Sequence, residues 1–119
     1  MEVRERNVLY YQTAARTFPF RDWRSGLNDD TRAAVDARIA RFRGGNLGDS
    51  KPIGGGASEN RIDLGPGYRI YYGLDGMDLI ILLCGGDKPR QDTDIARALE
   101  YWDDYKQRKR ELAKARKKR

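Results

Sequence analysis

The chain has 119 residues, with 24 Lys or Arg against 18 Asp or Glu and a net charge of +6. That length suits one domain, and 39% hydrophobic content beside 35% charged marks a soluble folded chain rather than a disordered one. There is no histidine and a single cysteine, Cys84. Ser-His-Asp and Cys-His catalysis, most zinc and non-haem iron sites and an intramolecular disulfide framework are therefore excluded.

The longest apolar run, Leu79 to Cys84, is six residues, far short of the roughly 20 that cross a bilayer. The N-terminal MEVRERNVLYY is charged and lacks the apolar core of a signal peptide. A cytoplasmic protein is expected.

Val8-Leu9-Tyr10-Tyr11 reads as a first strand. Thr17-Phe18-Pro19-Phe20 opens a short helix ending near Gly26, with Pro19 tolerated in the first turn. Asn28-Asp29-Asp30 is a capping residue followed by acids suited to the positive end of a helix dipole. Val35, Ile39 and Phe42 form one apolar stripe, and Gly44-Gly45 stops the helix, which predicts it over 29–43. Residues 44–56 are glycine-rich but lack the Gly-Lys-Ser/Thr of a phosphate loop, so a flexible connection is expected. Lys51 is the side chain there that can reach a phosphate.

Three strands are expected next: Arg61 to Leu64, Tyr68 to Tyr72 and Met77 to Cys84, joined by turns at Gly65-Pro66-Gly67 and Leu74-Asp75-Gly76. The third is nearly all apolar, suits a central position, and ends at Gly85-Gly86. Gln91-Asp92-Thr93 begins a last helix with Ile95, Leu99 and Trp102 as its stripe. The order reads as an α+β domain over residues 1–105: a first strand, two helices, an antiparallel meander and a C-terminal helix.

Residues 106–119 follow as a basic tail with nine basic residues and one acid, Glu111, leaving the rest of the chain at −2. Two readings stand: a solvated helix end, or a polyanion tether in which Lys106, Arg108, Lys109 and Arg110 neutralise phosphates. No aromatic residue follows Tyr105, so the tail offers no base-stacking platform.

Strand alternation places Ile62 and Leu64 on one face and Arg61 and Asp63 on the other. In the next strand Tyr68, Ile70 and Tyr72 point to the core, and Arg69 and Tyr71 point away. With helices on the apolar face, Arg61, Arg69 and Tyr71 converge on the open one, near Lys88 and Lys51. One reading is an ordinary polar outer face. The other is a cationic concavity suited to a phosphodiester, where Arg and Lys stabilise developing charge and Tyr stacks or moves a proton. Asp92, Asp94, Asp103 and Asp104 read as helix-start and surface acids rather than metal ligands. Cys84 reads as core, and Trp23 and Trp102 as core or partner-interface residues.

The series GNLGD–SK, SENRIDLGPGYRIYYG and LIILLCGGDK–QDTDIARA resembles the addiction-module killer proteins, HigB-like members of the RelE/ParE toxin superfamily. The resemblance covers roughly residues 7–105. It implies a RelE-like fold, a small twisted antiparallel sheet flanked by helices. It also implies a metal- and cofactor-free endoribonuclease that cleaves mRNA on the ribosome, neutralised by a cognate antitoxin, typically a helix-turn-helix protein. Arg69 matches the Arg of the family's Gly-Tyr-Arg strand, implied to hold the scissile phosphate. Arg61 falls at the position of a basic residue one strand earlier, and Lys88 at that of the basic residue just after the third strand; Tyr71 joins them as a candidate on strand alternation alone. Two features depart from the pattern: Asp63 replaces a second basic residue, and no Tyr or His stands near Asp92 to Ile95. These keep open a second implied activity, poisoning of DNA gyrase.

Overall fold

The computed structural model describes residues 5–117. Its elements are β1 (Asn7–Tyr10), α1 (Pro19–Ser25), α2 (Asp29–Arg43), β2 (Ser50–Gly54), β3 (Ala57–Ile62), β4 (Tyr68–Asp75), β5 (Leu79–Asp87), a single 3-10 turn (Lys88–Arg90) and α3 (Gln91–Lys117). The fold is α+β, with a five-stranded sheet in the order β1-β5-β4-β3-β2. β1 runs parallel to β5 and the other neighbours are antiparallel.

The two N-terminal helices form where local signals place them. The extended Asn28 caps α2 by accepting the Thr31 N–H at 2.9 Å, and Val35, Ile39 and Phe42 are buried along one stripe. Phe20 is the buried residue of α1.

The glycine-rich segment departs from expectation. Instead of a loop it holds β2 and the turn into β3. β2 is a sheet edge, where Pro52 costs no ladder bond, and Gly54, Gly55 and Gly56 all take positive φ in the hairpin turn. The first meander strand is displaced accordingly: β3 ends at Ile62, and Leu64 lies in the following turn, 39% exposed. The sheet is therefore mixed and five-stranded rather than a three-stranded meander beside a first strand.

The expected open face does not exist. α1 and α2 cover one face through Phe20, Val35, Ile39, Phe42, Ile70, Tyr72, Ile80 and Leu82. α3 covers the other, packing Ala98 and Trp102 on Ala57, Tyr71, Ile81, Leu83 and Cys84. A bulge makes this second core possible. Tyr71 pairs with Cys84 and Tyr72 with Leu82, so Leu83 is an extra residue and both Leu83 and Cys84 turn toward α3. Gly85-Gly86 continues β5 rather than ending it, because bare backbone lets both helix layers approach. A Cβ on Gly85 would lie 2.1 Å from the Trp23 ring, and one on Gly86 only 1.9 Å from Asp94.

α3 runs unbroken through position 105, so the basic segment is the distal end of this helix as far as Lys117. Lys118 and Arg119 lie outside the described residues. Among the described residues no helix is long and apolar enough to cross a membrane.

Candidate functional site

Three cations meet at the end of the sheet beside the N-terminus of α3. Arg61 comes from β3, Arg69 from β4 and Lys88 from the 3-10 turn. With Asp49, Asp63, Gly67 and Tyr68 they line a cleft of about 330 Å³. β3 and β4 bring the two arginines directly opposite each other across the strands. Like charges so placed repel, and each guanidinium has its own carboxylate. Arg61 Nε lies 3.4 Å from Asp49 Oδ2 at the surface. Arg69 Nε lies 3.6 Å from Glu59 Oε2, with both side chains almost wholly buried.

The Gly67 carbonyl ties the cleft together. It accepts from Arg69 Nη1 at 3.2 Å and from the Lys88 backbone N–H at 2.9 Å. Behind Arg69, Gln91 Nε2 donates to both Glu59 oxygens at 3.1 and 3.0 Å. Lys88 is exposed and makes no ion pair among the described residues. The arrangement therefore offers one buried, oriented planar donor and two more exposed cations, tempered by two acids. That is suited to hold and polarise a phosphodiester.

Tyr71 does not share this cleft. It is fully buried beneath α3, and its hydroxyl has no hydrogen-bond partner among the described residues. Burial pushes its phenol well above the ordinary value, and the Glu59 and Asp94 charges add to the rise. Tyr68 supplies the cleft's phenol instead. It sits at the start of β4, half-buried, and reaches the cleft from the strand end. Arg69 is likewise not on an open face; only its tip meets the cleft. Lys51 is exposed on β2 opposite Glu59 and lies outside the cleft lining.

The basic residues of distal α3 divide into two groups. Lys106 donates to the Gly55 carbonyl at 3.0 Å, Arg108 pairs with Asp104 at 2.8 Å and bonds the Gln12 carbonyl, and Lys109 pairs with Asp75. These three fasten the helix to the sheet. Arg110, Lys114, Arg116 and Lys117 are exposed, and no contact of theirs is seen among the described residues.

The acids of α3 have distinct places. Asp103 lies 3.7 Å from Lys106, and Asp104 accepts from Tyr11. Asp94 is buried against Gly86; burial raises its carboxyl above the ordinary range, the Arg97 charge opposes, and Asp87 adds to the rise. Burial pushes the Cys84 thiol up to about 12, which leaves it an inert core residue. Trp102 is buried, donates to the Gly55 carbonyl at 2.6 Å and stacks on Tyr105. Trp23 packs beside Phe20.

Glu59, Gln91, Asp49 and Tyr68 escaped the sequence reading. Glu59 stands two residues before Arg61, the spacing that puts both on one strand face, but it lies between the expected glycine-rich connection at 44–56 and the strand expected from Arg61.

The chain is 48% identical over 83 residues to an uncharacterized protein of Haemophilus influenzae, a match covering 69% of this chain and 84% of that protein. No family model matches, and no solved structure matches. The chain belongs to the same family as the Haemophilus protein.

Proposed function

We propose that this protein is the toxin of a type II toxin–antitoxin module, with a RelE-like fold, and that it stops translation by cleaving mRNA on the ribosome. The observation that carries the reading is the convergence of Arg61, Arg69 and Lys88 from three elements onto one cleft, with Arg69 held from behind. Attack of a ribose 2′-OH on its own phosphate needs alignment, stabilisation of the developing charge and protonation of the leaving oxygen. Arg69 presents a preorganised donor for the phosphate oxygens. Lys88 and Arg61 neutralise charge as it builds, and Lys88 is the group free to approach the leaving oxygen. Tyr68 is placed to stack on a base flanking the cleft. In this reading a cognate helix-turn-helix antitoxin neutralises the protein, which works in the cytoplasm.

Asp49 and Asp63 in the same cleft favour a second reading, a non-enzymatic toxin that poisons DNA gyrase, because they weaken its pull on a polyanion. Pulse labelling after brief induction separates the two. Loss of protein synthesis ahead of DNA synthesis is expected; loss of DNA synthesis first, with DNA breaks, would favour gyrase.

A further inference from the structure

Glu59 is an unusual residue for a short strand near a sheet edge. It is a carboxylate only 2% exposed, and no backbone ladder requires its side chain. Gln91 Nε2 donates to both of its oxygens, and the Arg69 guanidinium pairs with Oε2. Gln91 is the first residue of α3. A continuous chain of contacts thus runs from the docked helix, through Glu59, to the one buried cation of the cleft.

The geometry on Arg69 is specific. Nη1 is held by the Gly67 carbonyl, while Nε faces Glu59 at 3.6 Å, an ion pair too long for a hydrogen bond. Two anchors on one planar group fix its plane. Nη2 makes no hydrogen bond among the described residues, which leaves it as the uncommitted donor of the group. A lone Arg at this register would be pushed by Arg61 opposite. Glu59 supplies the compensating charge inside the protein, where Asp49 cannot serve because it is engaged by Arg61.

We propose that Glu59 and Gln91 are positioning residues: Gln91 orients the Glu59 carboxylate, and Glu59 sets the plane of the Arg69 guanidinium so that Nη2 faces a phosphate in the cleft. This rests on the proposed RNA cleavage. It adds that α3 docking and the competence of Arg69 are one event, because the helix's first side chain is part of the chain of contacts.

The test uses Glu59→Gln, which keeps the shape but removes the charge and turns one acceptor oxygen into a donor, and Gln91→Ala, which leaves the Glu59–Arg69 pair in place. Cleavage of a translated message is measured in a reconstituted translation system, together with the NMR signal of the Arg69 Nε–H and thermal melting. Misplacing a reacting group by about 1 Å costs up to about a hundredfold. Glu59→Gln is therefore expected to lower kcat about ten- to a hundredfold with KM within about twofold, and to make the Arg69 signal mobile. Gln91→Ala should move both readouts the same way by less, and it serves alone if Glu59→Gln does not fold. In an Arg69→Lys background, Glu59→Gln should cost little more.

Wild-type kcat with an unchanged Arg69 signal in both variants would overturn the proposal. So would a full further loss in the Arg69→Lys background, since Glu59 would then act through something else. If the unmodified protein cleaves no message, the functional reading fails. The Arg69 signal still decides the positioning role: ordered in the wild type and mobile in both variants upholds it, unchanged refutes it.

Discussion

At the N-terminal end of α3, three cations from three elements face one cleft, and the most buried of them is held by a carboxylate and a carbonyl. At the C-terminal end, roughly 40 Å away by helix rise, the cations are more numerous but diverge around a single helix. There, Lys106, Arg108 and Lys109 are spent on fastening the helix to Gly55, Gln12 and Asp75, and Arg108 also pairs with Asp104 on the same helix. Charge density and charge convergence are thus separate properties. A cluster in sequence gives a long-range field that salt screens. A convergence in space, on partly desolvated groups, gives directed donors that can act on one bond.

The largest expected effect is at Arg69. Arg69→Ala removes the planar donor, worth roughly 3–4 kcal/mol of transition-state stabilisation or at least about a hundredfold in rate. It also leaves Glu59 buried without its partner, which costs about 3–5 kcal/mol of stability. Growth arrest and thermal melting should therefore fall together in this variant. The double variant Arg69→Met/Glu59→Gln should recover much of the melting temperature but none of the toxicity. A double variant that is toxic again would place the active surface elsewhere.

Lys88→Ala and Arg61→Ala separate the two effects. Both side chains are exposed, so stability should stay within about 0.5 kcal/mol, while cleavage falls by about tenfold, or about 1.4 kcal/mol. Melting and cleavage measured on the same samples check this.

Removing residues 110–119 probes the other end. The described part of that segment is exposed and buries nothing, so melting should not change. Ribosome or RNA binding should weaken, and each lost single-strand phosphate contact should flatten the log–log salt slope by about 0.7. An unchanged slope would make the segment a solvated helix end only.

The smallest effect expected is at Asp94. Its carboxyl is raised by burial, so the folded state holds that proton more tightly than the unfolded chain does. Stability should then fall as pH rises from the ordinary carboxylate range toward the folded-state value, and the penalty persists above it. Asp94→Asn removes the penalty and should raise the melting temperature at pH 7 but not at pH 3. An equal gain at both pH values would point to packing rather than charge.

Part of this arrangement was readable from the residues. The cap at Asn28 and the stripe Val35, Ile39, Phe42 are local signals, and α2 occupies the expected 29–43. Arg61, Arg69 and Lys88 line one cleft, but at the end of the sheet rather than on the open face that strand alternation implies, and without Tyr71 or Lys51. The second helix layer was not readable, because Glu59, Arg69 and Tyr71 alternate with apolar residues as a solvent face does. The pairing of Glu59 with Arg69 under α3 lets that face be buried. β2 was hidden because glycines that signal flexibility in isolation here serve a tight hairpin turn. The role of the distal basic residues was blurred for a similar reason: a Lys or Arg bound to a carbonyl looks the same in sequence as a free one.

The most direct test of the central claim maps mRNA ends after brief induction of the wild type and of Lys88→Ala, a variant expected to fold normally. New 5′ ends inside translated messages in the wild type, strongly reduced in Lys88→Ala, are the predicted result. Intact messages in the wild type, or an identical set of ends in both, would contradict it.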